Sequence, residues 1–277
     1  MTPKPVSSAD YEFLREFLRR EMGHELGDGK EYLVESRLNP IAASFELDDL
    51  PGLVARLRVN ADRLLRDAVV EAMSIQETSF FRSGKTFELV RADMIPALMR
   101  SRASTSRLRV WCAACSTGQE PFSVAMTIDD HFPKLWDWQV EIVATDISRQ
   151  ALDRAAAGAY NQFEVQRGLP VQTLLKHFRQ VEDRWLIADQ IRRRVKFQQF
   201  NLLDPFVGLG DPFDVIFLRS VLIYFDVATK SAIFTKLRRA IANDGFLVLG
   251  EAESIIGLTD QFSIPNGEAG YYVPTRR

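Results

Sequence analysis

From residue 7 to about residue 75, apolar positions recur at the spacing of one helical face. Phe13, Leu14, Phe17, Leu18 and Met22 line the first such face, and Ser7 or Ser8 is placed to cap it. "KEYLVESRLNPIAAS" predicts a second helix, broken or ended near Pro40, and "LPGLVARLRV" and "ADRLLRDAVVEAMSI" predict two more. "QETSFFRSGKTFELV" then leads into a long helix through residues 86–101. After the polar spacer "SRASTSR" the pattern changes to short apolar runs: "LRVWCAA", "WQVEIVATD", "RVKFQQFN", "FDVIFLRS" and "GFLVLGEAE". Helical patterns fall between them at 119–131, 148–156 and 228–242. Strands alternating with helices imply an α/β domain with a parallel sheet covered on both faces.

One connection is too long for a simple crossover. Nearly fifty residues separate Asp146 from the strand at Val195. Within them, "HFRQVEDRWLIADQIRRRVKF" can pair as a small antiparallel unit around Glu182-Asp183, a β-subdomain inserted at about 158–194. The end, "QFSIPNGEAGYYVP", has a turn signal at Asn266-Gly267 and predicts a terminal hairpin. The expected organisation is a helical domain at 1–75, a linker at 76–90 that contributes to the site, and an α/β domain at 91–277.

Composition narrows the classes. The 277 residues are 46% apolar and 26% charged, as in an ordinary soluble globule. No apolar run approaches the ~20 residues that span a bilayer, so membrane insertion is not expected. "MTPKPVSSADYEF" lacks the apolar segment of a secretory signal, which predicts a cytoplasmic protein. A net charge of −2 argues against general nucleic-acid binding, which rests on clustered positive charge. Cys112 and Cys115 form a C-x-x-C, but Cys112 lies within a strand and no second pair completes a zinc site. With His24, His131 and His177 scattered, no metal site is expected.

In open α/β sheets, ligands bind beyond the carboxyl ends of the strands. The first strand runs into "VWCAACSTGQEP", where Ala113 to Gly118 are small and let backbone approach a ligand. Pro121 suits the first turn of a helix. Glu120 would repel a phosphate, and the G-x-G-x-x-G cradle is missing. A ligand with a positive group fits better, and S-adenosylmethionine carries an ammonium and a sulfonium but no phosphate. The second strand ends in "ATDIS": Asp146 is placed to accept ribose hydroxyls, or it or Ser148 caps the next helix. After the third, Asn201 can meet an adenine edge with Leu202 against the ring, or serve as a turn residue. After the fourth, Tyr224 can face the reacting centre, or be a core residue with a wet hydroxyl.

"TSFFR" (78–82), "WCAACSTGQEP", "ATDIS", "FNLLDP", "FLRSVLIYFD" and "GFLVLGEAES" resemble, in order, the motifs of the chemotaxis receptor methyltransferases, the CheR family. The resemblance covers nearly the whole chain. It implies a Rossmann-like S-adenosylmethionine-dependent methyltransferase domain with an inserted antiparallel β-subdomain, behind an N-terminal all-helical domain. It further implies methyl transfer to glutamates in the cytoplasmic helical region of chemoreceptors, giving glutamyl methyl esters and S-adenosylhomocysteine. Carried over by motif, cofactor contacts fall on Gln76, Thr78, Arg82, Glu120, Asp146, Asn201, Leu202, Leu218, Arg219 and Ser220, and turnover on Arg82 and Tyr224. Two positions depart from the family pattern: Gln76 stands where Asn is usual, and Ser220 follows Arg219 where Asn is usual. Ser cannot make the paired contacts of an amide.

Receptor docking in the family uses basic residues of the helical domain. Here residues 1–75 carry 10 Lys+Arg against 14 Asp+Glu, with Arg37 the clearest match. Arg192, Arg193, Arg194 and Lys196 offer a basic face on the insert instead. Some members grip a receptor-tail pentapeptide with that insert by strand addition. The stretch from His177 to Asn201 lacks the glycine-containing loop associated with that grip, so a pentapeptide-independent enzyme is expected. The competing readings are a non-catalytic sensor of S-adenosylmethionine or S-adenosylhomocysteine and a methyltransferase for another substrate. The sequence leaves the oligomeric state open.

Overall fold

The structure, a computed structural model, describes residues 6–59, 62–265 and 270–275. The chain packs into two compact units: Met1–Ile75 with Tyr224–Thr229, and Gln76–Ile223 with Lys230–Arg277. The segment expected as a separate linker, 76–90, is part of the second unit.

The first unit is built on four helices. Ser7 caps α1 (Ser8–Met22), its hydroxyl accepting from the Asp10 amide at 3.1 Å, and Gly23 ends it in the left-handed conformation at φ 74°. Asp49 and Asp62 cap α3 (Leu50–Arg58) and α4 (Arg63–Met73) through their side chains. Between α1 and α3, α2 spans Glu31–Ser44 and runs through Pro40 instead of ending there. Pro40 and Ser36 both face solvent, so the carbonyl that loses its amide partner can be hydrated. The periodic apolar faces meet in a core of Leu14, Phe17, Leu18, Val34, Leu38, Leu53 and Val69, among others.

The second unit opens with α5 (Gly84–Leu89), passes a π-helical turn at Val90–Met94, and continues as α6 (Ile95–Ser101). The single helix expected over this stretch is therefore interrupted. Pro96 follows one residue after it, and a widened turn accommodates a residue with no amide to donate. Then come β1 (Arg107–Ala113), α7 (Gln119–His131), β2 (Gln139–Asp146) and α8 (Arg149–Ala157). The insert follows as β3 (Ala159–Asn161), α9 (Gln162–Gln166), α10 (Val171–His177), β4 (Phe178–Val181), β5 (Arg184–Ile187) and α11 (Asp189–Arg192). The chain returns to the large sheet with β6 (Val195–Gln199), β7 (Phe213–Leu218), α12 (Val227–Ala240) and β8 (Ile241–Leu249).

The large sheet has the order β6-β2-β1-β7-β8, and all its pairings are parallel. All six residues of β7 are buried: Val215–Leu218 is the apolar run that two covered faces require, and Asp214 near its start is satisfied by the Arg102 side chain and the Arg109 amide. The order reverses at β1, so a crevice opens beyond the carboxyl ends of β1 and β7. The insert forms a separate three-stranded sheet, β3-β5-β4, antiparallel throughout. Its β4–β5 turn is Glu182-Asp183, as the sequence pattern indicates, with Glu182 at φ 54°. Near the C-terminus, β9 (Phe262–Ser263) pairs antiparallel with β10 (Val273–Pro274), and Tyr272 bridges to Leu247 of β8. The predicted turn at Asn266-Gly267 lies outside the described residues.

Candidate cofactor site

The turn after β1 is tightly wound. Ala114 (φ 54°), Ser116 (φ 51°) and Gly118 (φ 93°) all take left-handed backbone within five residues. Two of the three are not glycine, and such conformations persist only where the surroundings hold them. Three contacts do so. The Cys115 amide donates to the Thr145 carbonyl at 2.9 Å, the Ser116 amide to Asp146 Oδ2 at 2.8 Å, and the Tyr160 hydroxyl to the Thr117 carbonyl at 2.8 Å. Only glycine fits at 118, because a Cβ there would sit 2.9 Å from that of Ala155.

Asp146 ends β2 and is 5% exposed. Its second oxygen accepts from the Ser148 amide at 2.9 Å, while Ser148 itself caps α8 through the Ala151 amide. The cap and the carboxylate are therefore different residues. Asp146 ties the turns after β1 and β2 together through these two backbone amides. Beyond β6, Asn201 Oδ1 accepts from the Leu203 amide at 3.0 Å in a local turn, and Leu202 is buried beside it.

Glu120 lies in the first turn of α7, where the helix dipole favours a negative charge. Arg219, the residue after β7, donates to Glu120 Oε2 at 2.9 Å and to the Arg82 carbonyl at 2.8 Å. Both partners of this ion pair are nearly enclosed, at 5% and 12% side-chain exposure. Burial pushes the Glu120 carboxyl above its usual range, and the Arg219 and Arg82 guanidiniums oppose that rise. Glu120, Arg219 and Arg82 are thus brought together. Arg82 also donates from its side chain to the Glu77 carbonyl at 3.1 Å. Gln76 and Thr78 are half-buried in the same segment. Leu218 has 0% exposure and joins the site only by setting the direction in which Arg219 leaves β7. Ser220 takes φ 59° in the turn that follows.

Tyr224 packs within the first unit. Its ring lies 5.3 Å from that of His24, and its carbonyl accepts from the Glu25 amide at 2.8 Å. Arg37 donates to the Met73 and Ser74 carbonyls at 3.2 and 3.4 Å. The basic run of the insert is also partly engaged: Arg192 bonds Asp189, Lys196 pairs with Glu141, and Arg194 lies 4.0 Å from the centre of the Trp136 ring. Both cysteines are buried and free, and burial pushes both thiols up, which suits core residues. Away from the strand ends, Asp129, Asp130 and His177 converge within 4.8 Å, and Lys176 supplies their counter-charge at 2.5 Å from Asp130.

Two contributors carry no local signal in the sequence. Tyr160 comes from the first strand of the insert, and its ring packs edge-on against Phe80 at 4.9 Å. Gly168 lies so close to Phe80 that a Cβ would reach its carbonyl at 2.1 Å, so the insert holds the "TSFFR" segment in place. The other is Glu253, whose carboxylate receives four backbone amides from the ends of β7 and β8. The pairing of two strand-end turns across a sheet could have flagged it only once the sheet order was known.

The donor set fits a nucleoside that carries a cation and no phosphate. Glu120 and Asp146 present two carboxylates at the switch point, and Ser116 Oγ and Arg219 Nε are buried polar atoms with no protein partner. Such an edge on a doubly wound α/β domain is the place where nucleoside ligands bind. Comparison with known proteins is specific. Residues 76–271 match the model "CheR methyltransferase, SAM binding domain", and residues 9–74 match "CheR methyltransferase, all-alpha domain". The chain belongs to the CheR methyltransferase family, and it is an S-adenosylmethionine-dependent methyltransferase. Relatives include "Chemotaxis protein methyltransferase Cher2" of Pseudomonas putida, 38% identical over 94% of this chain and 95% of its own. "Chemotaxis protein methyltransferase 1" of Pseudomonas aeruginosa is 39% identical over the same shares, 94% and 95%. Among the described residues, no helix is long and apolar enough to cross a membrane.

Proposed function

We propose that this protein transfers the methyl group of S-adenosylmethionine to glutamate side chains in the cytoplasmic helical region of chemoreceptors, forming glutamyl methyl esters in sensory adaptation. The observation that carries the reading is the acidic, phosphate-excluding turn after β1, with Glu120 paired to Arg219, in a chain that both family models cover almost end to end. In this reading Glu120 takes the ammonium of the donor, Asp146 its ribose hydroxyls, and Asn201 and Leu202 its adenine. When bound, the donor supplies an electrophilic methyl group.

The chain's own residues then have little chemistry to perform. A substrate glutamate with a pKa near ~4.3 is already ionised at cellular pH, so no general base is required. What remains is to hold the carboxylate oxygen in line with the methyl group and to exclude water. Arg82 can hold a carboxylate through two parallel hydrogen bonds, either that of the donor or that of the substrate. The Tyr224 hydroxyl is suited to orient the substrate oxygen. The two-residue turn between β4 and β5 supports methylation that does not depend on a receptor-tail pentapeptide.

The test is a methyl-transfer assay with labelled donor and receptor-rich membranes, using receptors with and without their C-terminal tails. Base-labile label should appear in the receptors in both cases. Label confined to metabolites, or donor binding without transfer to any receptor, would refute the assignment.

A further inference from the structure

Glu253 sits in the turn after β8, with its amide donating to the Gly250 carbonyl at 3.0 Å. Its carboxylate folds back over the end of the sheet, where Leu218 of β7 and Leu249 of β8 are the last paired residues. Oε2 accepts from the amides of Ser220 at 2.8 Å and Gly250 at 2.7 Å. Oε1 accepts from Val221 at 2.9 Å and Leu222 at 2.7 Å. A carboxylate has about four acceptor sites, and here four amides meet them. Three come from consecutive residues, a concave run of N–H groups of the kind that binds anions. Here the protein's own side chain supplies the anion.

The fit is close. A Cβ on Gly250 would lie 2.6 Å from Glu253 Oε2 and 2.9 Å from the Ser220 amide, so glycine is needed where the carboxylate passes. Ser220, at φ 59°, holds a left-handed conformation that a serine does not adopt freely. The carboxylate compensates that strain by gathering the amides the turn leaves unpaired. On one side of the clamped turn is Arg219, which reaches Glu120 and Arg82. On the other, two residues past Leu222, is Tyr224.

We propose that Glu253 is a positioning residue for methyl transfer. It fixes the 220–222 turn so that the chain leaves Arg219 and approaches Tyr224 in the geometry turnover requires, and this role rests on the function proposed above. The contacts of Arg219 to Glu120 and the Arg82 carbonyl do not pass through Glu253, so donor binding and turnover should respond differently. Glu253→Gln preserves size but sets an NH₂ against two of the four amides. Glu253→Asp keeps the charge and is one methylene shorter.

Wild type and both variants are compared by receptor methylation kinetics, calorimetry with S-adenosylhomocysteine, and thermal unfolding. Glu253→Gln should lower kcat by ~10- to 100-fold, as a small misplacement near a reacting centre does, with product affinity changed by less than about threefold. Glu253→Asp should recover part of kcat. Wild-type kcat in a folded Glu253→Gln protein would overturn the proposal. So would kcat, product affinity and unfolding temperature falling together in both variants, which would mark a merely structural contact. A wild-type protein that methylates no receptor refutes the function itself, and the role of Glu253 with it.

Discussion

Glu120 is where charge and burial oppose each other most directly. Its carboxyl is held above the usual range by burial, while Arg219 at 2.9 Å favours the ionised form. Because the carboxyl is raised, protonation sets in at a higher pH than the ~4.3 of a free glutamate. Each Glu120 that protonates loses the charge that attracts a cationic ligand. Affinity for S-adenosylhomocysteine, measured by calorimetry between about pH 8 and pH 5, should therefore fall as pH falls. Glu120→Gln should weaken binding by ~10- to 100-fold at neutral pH and flatten that dependence. Equal affinity in the Gln variant would remove Glu120 from the ligand contacts. Glu120 and Asp146 were legible in the sequence because strand–helix alternation dictates which residue emerges at each strand end. Glu253 was not, since an acid in a turn reads as solvated surface until two strand ends are known to be neighbours.

The elements themselves were legible wherever one period held: α7, α8 and the strands of the large sheet follow the apolar pattern closely. Proline was the weak point, because its effect depends on which side of the helix it faces. Pro40 faces solvent inside α2, and Pro96 follows a π-helical turn. The insert was readable as an antiparallel unit, but not its structural debt to the turn after β1. Tyr160 reaches from β3 to the Thr117 carbonyl at 2.8 Å, and its ring is 1% exposed. Burial pushes its phenol well above the usual range, so the hydroxyl keeps its proton and remains a donor at any physiological pH. Tyr160→Phe leaves the Thr117 carbonyl enclosed without that partner, at a cost of about 1–3 kcal/mol. We expect a lowered unfolding temperature and weaker binding of S-adenosylhomocysteine, because the left-handed run from Ala114 to Gly118 loses one of its three supports. An unchanged product affinity would show that the other two suffice.

At the scale of the molecule, among the described residues, the apolar cluster of the first unit and the largest one of the second share no residue. One is built from Tyr11 through Met73, the other from Phe80 through Val248. The covalent links between the units are the junction after Ile75 and the excursion of Tyr224–Thr229. The proposed ligand contacts from Gln76 to Ser220 all belong to the second unit, so binding energy enters through that core. A ligand at a hundred times its Kd stabilises the state that binds it by about 2.7 kcal/mol. If the cores unfold as separate units, that increment appears only where the ligand binds. Hydrogen exchange followed by mass spectrometry in mild urea gives the measurement, with and without S-adenosylhomocysteine. Peptides of β1, β2, α7 and β7 should gain protection, and those of α1 to α4 should not. Equal protection of α1 to α4 would mean that the chain opens as one cooperative body.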